Sequence, residues 1–118
     1  MQTALHTPIS HKMLEEKLKM DQLNNHDERK GTAVVNVLSP EAFNKDHIPG
    51  SINIPQNDIE QFDKRFKKDK EIVVYCASKE CDASTKVAEQ LAAKGFTQVR
   101  DYEPGMKGWN DAKKNEGS

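Results

Sequence analysis

The sequence predicts an α/β domain built on a mainly parallel sheet covered by helices. Three observations lead there. Residues 33–38 and 72–75 are apolar and β-branched at consecutive positions, the pattern of strands buried on both faces rather than one. Helical periodicity separates them, and strand and helix patterns go on alternating along the chain. At 118 residues the chain suits one domain with a core that needs neither metal nor disulfide support.

Residues 1–8 show no periodicity and are read as a flexible N-terminus. From Ile9 a helix is expected, with Ser10 as its cap and Met13, Leu14, Leu18 and Leu23 recurring at helical intervals. Residues 24–31 form a polar connection into the first buried strand, 33–38. Ser39 and Pro40 then start a short helix through Phe43, serine capping and proline filling the first turn. Between His47 and Pro55, two prolines and a glycine surround a very short apolar segment, a turn feeding an edge or end strand.

Ile59, Phe62 and Phe66 line one face of a helix within residues 57–66. Residues 64–70 make a basic patch interrupted by Asp69, which reads as a solvated face. The second buried strand, 72–75, leads into a cysteine loop and a helix over 84–94, with Val87, Ala88, Leu91 and Ala92 turned inward. Gly95 ends that helix, residues 96–102 supply a strand around Val99, and residues 104–112 a short helix or turn carrying Trp109. The single domain is thus expected over 9–112, with 113–118 as a flexible tail. Trp109 and Tyr102 are expected in the core, since aromatics make up only 6% of the chain and the core needs them.

Bulk properties exclude several classes of function. Lys and Arg number 18 against 19 Asp and Glu, so no global charge draws a nucleic acid backbone. No apolar run is long enough for a signal peptide or a membrane span, which makes the reducing cytoplasm the expected setting. The four histidines, His6, His11, His26 and His47, have no paired spacing with the two cysteines, so no metal site is expected.

The chemistry concentrates at Cys76, placed where an apolar strand stops and a helix is about to begin. Unpaired N–H groups of a helix start favour thiolate over thiol and can cradle an anion. In open α/β sheets ligands bind beyond the carboxyl ends of the strands, where this position puts the sulfur. The residues Ala77, Ser78, Lys79, Glu80, Cys81, Asp82 and Ala83 that follow are mostly small or polar. They can curl so that several N–H groups converge on Cys76, forming a nest for an oxyanion or the outer sulfur of a persulfide and lowering the thiol pKa.

At these residues the chain resembles the rhodanese family. Four blocks carry the resemblance: Val34-Val35-Asn36-Val37 with Glu41-Ala42-Phe43; the run from His47 through Ile48, Pro49, Gly50, Ser51, Ile52, Asn53 and Ile54 to Pro55; Ile72-Val73-Val74-Tyr75-Cys76; and Ala88, Leu91, Gly95-Phe96, Val99, Tyr102, Gly105 and Trp109. Together with the alternation of elements, it implies a rhodanese-like domain with about five strands and helices on both faces. It further implies a sulfurtransferase in which Cys76 takes sulfane sulfur from thiosulfate or a persulfide, holds it covalently, and passes it to a thiophilic acceptor. No cofactor beyond that persulfide is implied. The partners would be a small sulfur donor or a protein sulfur carrier, with residues 77–83 as the substrate-binding loop.

The chain also departs from the family pattern. Asn36 and Leu38 stand where many members carry aspartate and arginine, and Ala83 replaces the arginine that often closes the loop. Anion recruitment then rests on loop amides, the helix start and Lys79, opposed by Glu80 and Asp82, so free thiosulfate should be handled weakly. Related phosphatases and arsenate reductases end their loop with an arginine that grips the oxyanion, and none lies between Cys76 and Val99. The spacing of Cys76 and Cys81 instead resembles a rhodanese subgroup with a second loop cysteine. Cys81 is either a resolving thiol that attacks a persulfide on Cys76 or a small buried residue without redox role. Two other readings stay open: a non-catalytic module that binds a partner or senses reactive sulfur, and a Cys76/Cys81 dithiol redox protein. His47 is expected to pin its turn by a structural hydrogen bond, and Gly105 and Gly108 to permit a tight turn near the site.

Overall fold

The two apolar segments lie side by side and parallel, with Val34 opposite Val73 and Asn36 opposite Tyr75. The computed structural model that places them describes residues 7–23, 32–78 and 81–117. Along these residues the elements run β1 (Thr7–Pro8), α1 (His11–Leu23), β2 (Thr32–Asn36), α2 (Pro40–Lys45), β3 (Ile52–Asn53), a 3₁₀ turn at Gln56–Asp58, α3 (Glu60–Arg65), β4 (Glu71–Tyr75), α4 (Ala83–Ala93), β5 (Gln98–Asp101) and α5 (Gly105–Gly117). The strands form one sheet in the order β1-β5-β4-β2-β3, and every pair is parallel.

Successive strand residues face opposite sides, so each apolar run feeds two cores. Val35, Ile72, Val74 and Val99 pack with Phe62 and Phe66 from around α3 and with Val87, Ala88 and Leu91 of α4. On the other face Val34, Val73 and Tyr75 meet Leu14 and Leu18 of α1 and Met106 and Trp109 of α5. Helices therefore cover both faces, and Tyr102 and Trp109 are core residues as expected.

The local signals act where the sequence put them. Ser10 Oγ accepts the Met13 N–H at 3.2 Å to start α1, and Ser39 Oγ accepts the Ala42 N–H at 3.2 Å to start α2, with Pro40 in its first turn. Gly95 ends α4 at φ 105°, a conformation that favours glycine. His47 donates from Nδ1 to the Phe43 carbonyl at 2.8 Å and stacks on the Phe43 ring, a structural role. The basic patch is partly paired: Lys68 binds Asp63 at 2.6 Å and lies over the Phe96 ring.

Two boundaries differ from the sequence reading. Thr7 and Pro8, assigned to a flexible end, form β1 and pair with Arg100 and Asp101 of β5. A two-residue edge strand is held by backbone pairing and leaves no periodic signature. At the other end α5 runs to Gly117, so residues 113–117 are helical rather than a tail. Lys113 reaches Glu15 of α1 at 3.2 Å and lies over Trp109, polar contacts that an apolar pattern does not register. The polar connection 24–31 lies outside the described residues.

Candidate active site

Chain direction sets the site. From β2 the chain moves outward to β3 on one side, and from β4 outward to β5 on the other, so β2 and β4 flank the switch point at whose carboxyl ends open α/β sheets carry their ligand crevice. Cys76 follows the last residue of β4 and stands at that crevice. Its side chain is 1% exposed and joins the core layer formed with Val37, Val74 and Ala88.

The polar atoms around Cys76 fit a thiol. Sγ donates to the Cys81 carbonyl at 3.2 Å, lies 3.5 Å from Ser84 Oγ and 4.0 Å from the Ser78 carbonyl. Burial pushes the Cys76 thiol up, Cys81 adds to that, and the hydroxyl and N–H of Ser84 oppose it without reversing it. At Cys81 the balance falls the other way. Burial resists ionisation there, but hydrogen bonds from the Cys76 thiol and from the N–H groups of Ala83 and Ala77 together hold the thiol below its ordinary value. The expectation that loop amides ionise Cys76 is thereby corrected: in this structure they serve Cys81. The physical reason is the loop's path. A turn closed by the Cys81 N–H on the Ser78 carbonyl at 3.0 Å folds the loop back so that the Cys81 carbonyl lies 3.2 Å from the Cys76 sulfur.

Neighbouring elements clamp the loop from two sides. The first N–H groups of α5 have no partners within their own helix, and those of Met106 and Lys107 bond the carbonyls of Cys76 and Ala77, both at 2.8 Å. Gly105 makes this approach possible: a Cβ there, at φ +69°, would stand 2.5 Å from the Cys76 carbonyl oxygen and 2.7 Å from the Ser78 nitrogen. From the other side Asp101, with no exposed surface, accepts the hydroxyls of Ser84 and Thr85, both at 2.7 Å. Asp101, Ser84 and Thr85 escaped the sequence reading as site residues. The available signal was an acidic residue at the end of a buried strand, which demands a buried partner.

The remaining loop positions separate. Ala83 begins α4, and Asp82 is exposed with Lys86 3.5 Å away; its charge opposes ionisation of Cys81, the smallest of the influences on that thiol. Lys79 and Glu80 lie outside the described residues. Asn36, in place of an aspartate, is wholly buried in a network with Tyr75: its amide donates to the Tyr75 hydroxyl at 3.2 Å, and its Oδ1 accepts the Leu38 N–H at 2.8 Å. Among the described residues no group of three or more His, Cys, Asp or Glu side chains is arranged to hold a metal. No described helix is long and apolar enough to cross a membrane.

Known proteins are similar to this chain in sequence and in fold. The rhodanese-like domain model matches residues 19–112. The chain is 32% identical over 79 residues to the thiosulfate sulfurtransferase GlpE of Pseudomonas syringae pv. syringae, spanning 67% of this chain and 73% of that protein. It is 27% identical over 95 residues to the thiosulfate sulfurtransferase GlpE of Shewanella oneidensis, spanning 80% and 92%. The human single-domain sulfurtransferase TSTD1 superposes with a TM-score of 0.72 over 91% of this chain and 97% of its own, at 21% identity, a likeness of fold alone. With the family model spanning both central strands, the cysteine loop and the first part of α5, the chain belongs to the rhodanese-like domain family.

Proposed function

We propose that this protein is a sulfurtransferase that moves sulfane sulfur from a thiosulfate or persulfide donor to a thiophilic acceptor through a persulfide on Cys76. The observation that carries the proposal is a thiol, Cys76, placed directly after the central strand β4 in a loop that the first N–H groups of α5 clamp and that Ser84 adjoins at 3.5 Å; the Ala77 and Ala83 N–H groups, which help hold the neighbouring Cys81 thiol below its ordinary value, support it. A persulfide on Cys76 would place its outer sulfur in the same neighbourhood, with the same donors to stabilise its charge. The thiosulfate sulfurtransferase names of the relatives support the reaction class.

In the first half-reaction a loop thiolate attacks the outer sulfur of the donor, whose S–S bond breaks and releases sulfite or a thiol, and the sulfur comes to rest on Cys76 as a persulfide. In the second, an acceptor thiolate attacks that sulfur and Cys76 departs. The Ser84 N–H and hydroxyl adjoin the sulfur that alternates between charge and bond. No resident cofactor takes part. With Ala83 in the closing position and Asp82 in the loop, a low-molecular-weight persulfide or a protein sulfur carrier is the better donor than free thiosulfate. Neither nucleic acid nor membrane has a part in this chemistry, and two free thiols suit a reducing compartment such as the cytoplasm.

The test is intact-mass analysis after incubation with thiosulfate and, separately, with glutathione persulfide, followed by transfer to cyanide or a thiol. Wild type should gain one sulfur atom on Cys76, more readily from the persulfide, and Cys76→Ser should fold normally while turnover drops to background. Wild-type turnover in that variant, or no sulfur gained from either donor, defeats the proposal. One observation favours a second reading, a dithiol redox protein: the thiols of Cys76 and Cys81 are in hydrogen-bond contact. That protein would form a reversible disulfide and retain no sulfane sulfur.

A further inference from the structure

We propose that Cys81 receives sulfur from the donor and hands it to Cys76, the two loop cysteines forming a relay. The inference rests on the sulfurtransferase reading and adds the route by which sulfur enters. Access carries the first part: Cys76 is sealed in the core layer, whereas Cys81 is half-buried and starts the exposed side of the loop with Asp82. A donor too large to enter the crevice meets Cys81 first. Position carries the second part, since Cys81 lies directly against Cys76, its carbonyl 3.2 Å from the Cys76 sulfur, and needs no long journey to deliver what it holds. Polarity carries the third: the Ala77 and Ala83 N–H groups face Cys81, while Cys76 faces the Cys81 carbonyl and Ser84.

The steps balance without oxidant or reductant. The Cys81 thiolate attacks the outer sulfur of a persulfide R–S–SH; the donor S–S bond breaks, RS⁻ leaves with the electron pair and is protonated, and Cys81 carries –S–SH. Cys76 then gives up its proton to solvent and attacks the same outer sulfur. The bond to Cys81 breaks, Cys81 departs as thiolate, and the sulfur rests on Cys76. One S–S bond forms for each that breaks. A thiol of lowered pKa is both largely ionised and a fast leaving group, the two properties a receiving cysteine needs. Cys76, held up by burial, is the stronger nucleophile once ionised and the poorer leaving group, so it is suited to retain the sulfur. As Cys81 withdraws, the transferred sulfur takes its place before the Ala77 and Ala83 amides.

Trypsin cleaves after Lys79 and so separates Cys76 from Cys81, which makes the relay readable by peptide mass. Wild type, Cys76→Ser and Cys81→Ser are loaded with glutathione persulfide and sampled over time. Wild type should finish with its sulfur on the Cys76 peptide, and Cys76→Ser should retain one sulfur on the Cys81 peptide. Cys81→Ser should still load Cys76, but slower by about tenfold or more, because the buried thiol must ionise and meet the donor unaided. In unloaded wild type, iodoacetamide should label Cys81 before Cys76, a measurement that needs no variant. Loading of Cys81→Ser at the wild-type rate, no sulfur on Cys81 in Cys76→Ser, or prior labelling of Cys76 overturns the relay alone. A wild-type product bearing a Cys76–Cys81 disulfide with release of sulfide also overturns it, since attack then falls on the inner sulfur. Wild type that gains no sulfur at all defeats the sulfurtransferase reading itself.

Discussion

Ser84 has one hydroxyl proton, and Asp101 takes it. The 2.7 Å bond to a carboxyl with no exposed surface leaves the Ser84 oxygen facing Cys76 as an acceptor, which matches a resting thiol. When Cys76 ionises, the Ser84 N–H remains as a donor while the hydroxyl is still engaged. Replacing Ser84 by alanine would leave Asp101 with the Thr85 hydroxyl as its one remaining side-chain partner in a site water does not reach. The variant should lose about 1–3 kcal/mol of stability, read as a lower urea midpoint at unchanged slope. Gly105→Ala tests the clamp from the other side. The new Cβ meets backbone rather than a movable side chain, at a positive φ, so about 2 kcal/mol or more should be lost and persulfide loading of Cys76 slowed. Wild-type melting and loading in Gly105→Ala would mean that the α5 start does not hold the loop.

At the scale of elements, α4 couples the loop to the core, because its first residue supplies a loop N–H and its later turns bury Val87, Ala88 and Leu91. Truncating Leu91 to alanine should cost about 2–5 kcal/mol, against about 1 kcal/mol for removing the exposed α2 cap with Ser39→Ala, and thermal unfolding of both variants checks the ranking. The same comparison shows what was legible. Residues 33–38 and 72–75 announced their strands because burial on both faces demands apolar side chains at nearly every position, Asn36 being the exception that bonds to Tyr75 and Leu38. Cys76 stood out because a thiol at a strand end before a helix has few structural reasons to be there. Cys81 was legible as a second loop thiol within reach of Cys76, but the turn on Ser78 that sets its place is made by backbone bonds, which residue types do not encode. The strand β1 and the last turns of α5 were missed for a similar reason: edge pairing and polar contacts stabilise them without an apolar period. Asp101 was missed because composition does not say which acids a fold buries.

At the scale of the molecule, chemistry and anchorage occupy opposite ends of the central strand β4. Cys76 leaves the carboxyl end of β4, while Glu71 opens the same strand and ties three elements together: Lys17 of α1 at 2.9 Å, Thr32 of β2 at 2.6 Å and Arg100 of β5 at 3.1 Å. Partial burial resists ionisation of Glu71, but Thr32, Lys17 and Arg100 outweigh it, and its pKa lies below the ordinary glutamate value. A carboxyl depressed on folding contributes stability that is full above the unfolded pKa and is lost as pH falls through the folded one. Glu71→Gln should therefore be less stable than wild type at neutral pH by about 1 kcal/mol, a figure discounted for a partly exposed network. The difference should shrink toward zero as the pH drops below the carboxylate range, because protonated Glu71 and glutamine then offer similar bonds. Urea unfolding of both proteins from neutral pH downward measures this. A gap that stays constant would mean that Glu71 holds the three elements by packing rather than by charge. Because β4 separates the network from the loop, sulfur loading of Glu71→Gln at neutral pH should match wild type, so the acid sensitivity of the fold and the reactivity of its cysteines can be varied independently.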